Sequence, residues 1–186
     1  MEHVRGKYLK VVDADDWVDT LALKHLVEYL EHVDSDAVIQ SFRYYDISKD
    51  EYRPADVSVP DFTREYNLKD IVNMWDDVYD GLSFHGVIYN TGFYKALGYK
   101  LTEHVFYEDQ EYATVPFSYA KNCQIYSGRV VCIQSWRCKS KCFSSKSGEA
   151  SSGFWSRLYL MYLRQRRALQ KCHRVERNTL SERRRA

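Results

Sequence analysis

The run Lys7-Tyr8-Leu9-Lys10-Val11-Val12 ends on Asp13-Ala14-Asp15-Asp16, and this junction constrains the chain more than any other feature. Aromatic and β-branched residues suit a pleated, half-buried strand. The strand delivers three carboxylates within four residues. Like charges that close repel unless something neutralises them. A hard divalent cation does so through oxygen ligands. Mg2+ or Mn2+ keeps several waters and binds through one or two carboxylates plus substrate phosphates. An Asp-x-Asp at a strand end can therefore bridge protein, metal and diphosphate. A bare triplet of this kind also reads as an acidic turn that caps the next helix.

The rest of the acidic part alternates strands with helices. Asp19 or Thr20 can cap a helix whose apolar stripe is Leu23, Leu26, Val27 and Leu30. Asp34-Ser35-Asp36 is a turn, and Ala37 to Tyr45 reads as a second strand. Asp46 to Pro60 is polar and irregular, with room for a hairpin. Asn67, with Asp70 three residues on, opens a second helix with Leu68, Ile71, Val72, Trp75 and Val78 inward. His85 to Tyr89 is a short strand. Asn90 or Thr91 caps a short helix that Gly98 stops. Tyr107 to Tyr119 reads as a helix with an acidic start, shortened or kinked by Pro116. Gln124 to Ile133 is the last strand. The expected class is α/β, a mixed sheet flanked by helices.

Composition divides the 186 residues in two. Residues 1–128 carry 12 Lys and Arg against 23 Asp and Glu, whereas residues 129–186 carry 15 against 3. All five cysteines lie from Cys123 onward. An odd cysteine count without an even framework argues against a secreted disulfide scaffold. No apolar run reaches the ~18 residues of a membrane span, and no apolar leader follows Met1. The expected location is the cytoplasm, with the inner face of a membrane as an extension.

The segment Gly6-Lys7-Tyr8-Leu9-Lys10-Val11-Val12-Asp13-Ala14-Asp15-Asp16-Trp17-Val18-Asp19 resembles the family 2 glycosyltransferases over its whole length. Their pattern is a Gly-Lys-Tyr entry, an apolar strand, Asp-x-Asp-Asp, then an aromatic and an acidic residue. Tyr107-Glu108-Asp109-Gln110-Glu111-Tyr112 matches the Glu-Asp pair that the family sets at a helix start facing the acceptor. His85-Gly86-Val87-Ile88-Tyr89-Asn90-Thr91, followed by Leu97-Gly98-Tyr99-Lys100-Leu101, is similar to the family's acceptor-side segment.

The resemblance implies a partial GT-A fold and transfer of a sugar from a nucleoside diphosphate sugar to a glycan or lipid-linked acceptor. It implies that Asp13 faces the nucleotide and its ribose, and that Asp15 reaches a Mg2+ or Mn2+ ion on the diphosphate. Asp16 assists there or caps the helix. Asp109 is the candidate general base, supported by Glu108. A single base with direct displacement inverts the anomeric centre. His85 is a further candidate for acceptor or diphosphate contact, and a lone histidine beside a short strand also reads as structural. His104 reads the same way.

The resemblance covers about residues 4 to 133, so residues 1–134 are expected to be the C-terminal portion of a catalytic domain. Family members begin with a βαβ half that holds the nucleotide base, and this chain starts almost at the Asp-x-Asp strand. A fragment or truncated product is expected, with weak or no transfer by this chain alone. The alternative is a non-catalytic remnant or binding module.

Residues 135–186 form a basic tail rich in Ser, Cys and Arg. Val131 to Phe143 can be re-read, with permitted codons, in another frame as a family-like run. A frameshift near Val130 would explain the cysteine onset and the charge reversal together. Phe154 to Leu169 could form an amphipathic helix for peripheral membrane contact. No motif supports nucleic-acid binding. The spacing of Cys132, Cys138, Cys142 and Cys172-His173 does not make a well-formed zinc site.

Overall fold

The computed structural model describes residues 3–102 and 108–135, the side chains of Glu108 and Ser135 excepted, and these lie within one unit, Met1–Arg137. Strands β1 (Tyr8–Leu9) and β2 (Trp17–Val18) flank the carboxylate run. Helix α1 (Thr20–Glu31), strands β3 (Ala37–Gln40), β4 (Phe42–Asp46) and β5 (Glu51–Ala55), and helices α2 (Leu68–Asn73) and α3 (Trp75–Val78) follow. Then come β6 (Val87–Asn90), α4 (Thr91–Ala96), α5 (Glu108–Thr114), β7 (Cys123–Tyr126) and β8 (Val131–Ser135).

Two four-stranded sheets result, ordered β1-β6-β3-β7 and β2-β8-β4-β5. Both are mixed. β3 runs parallel to β7 and antiparallel to β6, while β4 runs parallel to β8 and antiparallel to β5. The α/β expectation with mixed sheets therefore holds.

Two apolar runs that read as single strands are each split between the sheets. Ala37 to Tyr45 breaks at Ser41, whose N–H donates to the Tyr126 carbonyl at 3.3 Å and whose Oγ accepts from the Val57 N–H at 3.1 Å. Gln124 to Ile133 breaks after Tyr126 and resumes at Val131. The two breaks lie side by side, so both parallel neighbours change sheets together. Val130, Val131 and Cys132 are buried, and β8 continues to Ser135, so the chain is integral to the second sheet past Val130. The polar segment after Asp46 contains the expected hairpin, with Tyr45 opposite Tyr52 and Phe42 opposite Ala55.

The first sheet is buried on both faces, which explains its unbroken apolar runs. Ala37, Ile39, Val87, Tyr89, Cys123 and Ile125 face one core, with Ile71, Val78, Tyr94, Tyr112 and Phe117 from the helical segments. Val38 and Ile88 face the other, against Leu26 and Val33. Each fully buried aliphatic side chain there contributes about 1.5–3 kcal/mol.

Helix α1 begins as expected, because the Asp19 carboxylate accepts from the Ala22 N–H at 2.9 Å. Its buried stripe differs. Leu26 is buried, with Ala22, Tyr29 and Leu30 packed beside it. Leu23 and Val27 remain 36% and 49% exposed. At about 100° per residue, a helix that puts Ala22 and Leu26 on the sheet turns Leu23 and Val27 away.

Asn67 and Asp70 form a full capping box. The second helix is shorter than its pattern and restarts at Trp75, with Ile71 and Val78 buried and Val72 exposed. Asn90 caps α4 by accepting from the Phe93 N–H at 3.1 Å. Gly98 ends that segment at φ +61°, a left-handed conformation that glycine adopts without strain. Helix α5 stops at Thr114, ahead of Pro116, and a 3-10 turn over Phe117–Tyr119 follows.

Candidate functional site

Strand β1 leaves the ladder after Leu9, so the carboxylates sit on a loop between β1 and β2 and not on a continuous strand. The loop turns tightly. The Asp16 N–H donates to the Asp13 carbonyl at 3.2 Å, which folds Asp16 back toward Asp13. Asp13, Asp16 and His85 then present ligand atoms that all lie within 4.8 Å of one another. Asp15, at the tip of the turn, is exposed and outside this group.

His85 is held from below. The Lys10 ammonium donates to its carbonyl oxygen at 2.7 Å, and the Gln40 side-chain amide reaches the same oxygen at 3.5 Å. The next residue, Gly86, accepts from the Gln40 N–H at 2.9 Å. A Cβ on Gly86 would sit 2.2 Å from the Gly81 carbonyl oxygen, so only glycine lets the chain pass there. The His85 ring lies against Phe42 and Phe84, with centroids 5.7 and 5.5 Å away. Its Nδ1 approaches Asp16 Oδ2 at 3.3 Å.

The electrostatics are unusual for so small a group. The Asp16 side chain is only 3% exposed. Burial pushes its carboxyl above the ordinary value, against the Gln134 N–H that donates to Oδ1 at 3.1 Å. Burial also lowers His85, opposed by Asp16, Asp13 and Asp109 and reinforced by Lys10. Enclosure of its ammonium pushes Lys10 down to about 7. Asp16 Oδ2 and His85 Nδ1 are buried, and apart from their 3.3 Å contact with each other neither has a hydrogen-bond partner. Buried polar atoms are costly when left unpaired. A divalent cation would satisfy both, since it stabilises the carboxylate and takes the imidazole lone pair. Two carboxylates and one imidazole therefore fit a metal ion.

The second acidic run divides by role. Asp109 receives the Gln110 side-chain amide at 3.2 Å, and its charge is felt at His85. Glu111 has its carboxylate filled by the Tyr99 hydroxyl, by the Thr102 N–H at 3.2 and 3.3 Å, and by the Thr102 hydroxyl at 3.0 Å. The Glu108 side chain and His104 lie outside the described residues, as do the membrane and zinc readings of the tail beyond Ser135. Among the described residues, no helix is long and apolar enough to cross a membrane.

Residues 1–102 match the profile of glycosyl transferase family 2. The chain belongs to this family. Its mixed sheets flanked by helices are the α/β architecture described above, and the Asp13, Asp16 and His85 group lies within the matched residues. Similar solved structures include S. aureus TarS 1–349 with UDP, at 17% identity, covering 72% of this chain and 37% of that chain, with a TM-score of 0.48. TarS 1–349 with UDP-GlcNAc matches at 17% identity, 73% and 36% coverage and a TM-score of 0.49. This family 2 chain spans just over a third of the TarS structures it matches. No curated protein matches the sequence.

Sequence reasoning missed Lys10, Gln40 and Gln134 as neighbours of the Asp13, Asp16 and His85 group. The signal for Lys10 was present, because a lysine inside an apolar strand needs a partner or a purpose. Gln40, fully buried at the end of an apolar run, carried the same signal. Nothing local marks Gln134, whose backbone N–H reaches Asp16 from 118 residues away.

Proposed function

We propose that the chain carries the metal- and acceptor-side part of a nucleotide-sugar-dependent glycosyltransferase. The observation that supports this most is the convergence of Asp13 and Asp16, from the loop that bears the family's Asp-x-Asp-Asp run, with the part-buried His85. The donor is a nucleoside diphosphate sugar and the acceptor a glycan or lipid-linked glycan. A bound Mg2+ or Mn2+ would offset the charge on the departing diphosphate.

The chain's own residues do the rest. Asp13 faces the nucleotide side, and Asp15, exposed at the turn's tip, is free to meet a bound substrate. Asp109 takes the proton of the acceptor hydroxyl as that oxygen attacks the anomeric carbon. The C–O bond to the acceptor forms as the bond to the diphosphate breaks, and one displacement inverts the centre. Glu108 supports Asp109 from the preceding position. On this reading residues 1–134 carry the catalytic-domain chemistry and residues 135–186 are a separate basic tail, with peripheral membrane contact as its proposed role.

Calorimetric titration with UDP and GDP, with and without Mn2+, tests the reading. The expected result is an affinity at least about tenfold higher when metal is present, since binding to one site favours the other by linkage. Absence of any heat or thermal shift at millimolar nucleotide would reduce the chain to a non-catalytic binding module that keeps only the fold.

A further inference from the structure

A row of aromatic rings crosses one face of the second sheet, and the chemistry above does not use it. The register sets Trp17 of β2 and Arg43 of β4 each opposite Cys132 of β8, and Tyr45 opposite both Gln134 of β8 and Tyr52 of β5. Residues opposite one another share a face, as do residues two apart on a strand. The rings follow that order. Trp17 meets Tyr45 with centroids 5.6 Å apart, and Tyr45 meets Tyr52 at 5.0 Å. The other face of these strands holds the buried Phe42, Ala55, Val131 and Ile133.

We infer that the row is a saccharide-binding face, on which a neutral glycan chain packs its sugar rings against Tyr52, Tyr45 and Trp17, and that Trp17 delivers the chain's end to the adjoining acidic loop. The second half rests on the reading of that loop as a transferase site; the first does not.

The side of a sheet turned away from the core is ordinarily polar. Here Tyr52 is 55% exposed, and Trp17 and Tyr45 are only part-buried. The rings are also held in place. The Tyr45 hydroxyl donates to Asp50 at 2.8 Å. Arg43 is gripped by Asp19 at 3.1 Å and stands 4.9 Å from the Tyr52 centroid. A surface fixed in advance loses little freedom when a ligand settles on it. Interplanar angles of 75° and 38° make the row a twisted track, which suits a linear chain whose successive rings rotate about their linkages.

The chemistry selects the ligand. An aromatic face is electronegative and attracts the weakly positive C–H face of a pyranose. Arg43 and Asp19, both part-exposed, can donate to and accept from its hydroxyls. Polyanions are disfavoured, because Arg43 is already paired and residues 1–128 carry 12 Lys and Arg against 23 Asp and Glu. Three rings edged by charges are also a small apolar centre for a stable protein interface. The row is continuous with the acidic loop. Trp17 directly follows Asp16, and Gln134, opposite Tyr45, donates its N–H to the Asp16 carboxylate at 3.1 Å.

Calorimetric titration of the full chain with cellotetraose, laminaritetraose, maltotetraose and chitotetraose, without nucleotide or metal, tests the face. At least one should bind with millimolar affinity or better. Tyr52→Ala should weaken that glycan at least about fivefold, whereas Tyr52→Phe, which keeps the ring, should stay within about twofold. A purely structural tyrosine would lower the melting temperature of Tyr52→Ala and leave the affinity alone. Should that variant not fold, wild-type protein still answers: nuclear Overhauser effects should connect the sugar C–H protons to the rings of Trp17, Tyr45 and Tyr52. No binding of any of the four at about 10 mM overturns the inference. So do unchanged affinity in Tyr52→Ala, tighter binding of an oligo-dT strand than of every glycan, and a dimer in sedimentation that Tyr52→Ala abolishes. Titration with UDP separates the two readings. Glycan binding without nucleotide affinity keeps the face and removes the delivery to a transferase site. Nucleotide affinity without glycan binding sinks this inference and spares the transferase.

Discussion

The two acidic runs, Asp13-Ala14-Asp15-Asp16 and Glu108-Asp109-Gln110-Glu111, are alike in composition and opposite in how their last carboxylate is used. Asp16 is buried with an oxygen whose one polar neighbour is the His85 ring nitrogen at 3.3 Å. Glu111 is filled by Tyr99 and Thr102, and it fastens the segment after α4 to helix α5. A carboxylate with satisfied lone pairs is scaffolding. A buried one left open is a place where a ligand lowers the free energy. Asp109 lies between these cases, with one side-chain donor and a charge felt across the site at His85. On the proposed function, Asp16 belongs to the binding group, Asp109 takes the proton and Glu111 holds the segment in place.

The largest effect should come from Asp109→Asn. Loss of a general base lowers turnover by roughly 100-fold or more. Thermal stability and Mn2+ affinity should hardly move, because Asp109 shares no ligand with the Asp16 group. A variant that loses Mn2+ affinity in step with sugar transfer would merge the two runs into one metal site. Gly86→Ala should come next. Its new Cβ meets the Gly81 backbone at 2.2 Å, an overpacking that costs about 1–3 kcal/mol. The shift passes to the adjacent His85, so chemical denaturation and Mn2+ titration should both register it. Glu111→Ala removes the acceptor of several donors and should cost about 1–2 kcal/mol after screening at this part-exposed position. Its Mn2+ affinity should stay at the wild-type value; a tenfold drop would contradict a purely supporting role.

Legibility in the sequence followed the range of the interaction. Asn67 with Asp70, Asn90 and Gly98 act within a few residues, and each does what its local pattern says. The strand break at Ser41 could not be read, because the apolar run continues through it and the break is set by the partner strands β7 and β8. The same limit explains why Asp16, and not Asp15, converges with Asp13 and His85. Strand alternation puts Asp13 and Asp15 on one face. The chain there is a turn, closed by the Asp16 N–H on the Asp13 carbonyl, and a turn pairs first with fourth. His85 was legible as a candidate, but its role depends on contacts from Lys10, Gln40 and Asp16 that come from distant segments.

The smallest effect is the most telling about Asp16. Burial raises its carboxyl above the unfolded value, so ionisation costs more in the folded chain than in the unfolded one. Its contribution to stability is then complete below the ordinary carboxylate range and is lost as pH rises through the raised folded value. Metal-free Asp16→Asn, which cannot ionise but can still accept from the Gln134 N–H, should therefore be modestly more stable than wild type at neutral pH. The gap should close as pH falls below the ordinary carboxylate range, where both chains are neutral at this position. Added Mn2+ should reverse the order at neutral pH, because the wild-type carboxylate gains more from the ion than the amide does. Melting curves of the two proteins across pH, with and without Mn2+, measure this. If Asp16→Asn is less stable at neutral pH without metal, then Asp16 is a satisfied structural carboxylate like Glu111, and the contrast between the two runs collapses.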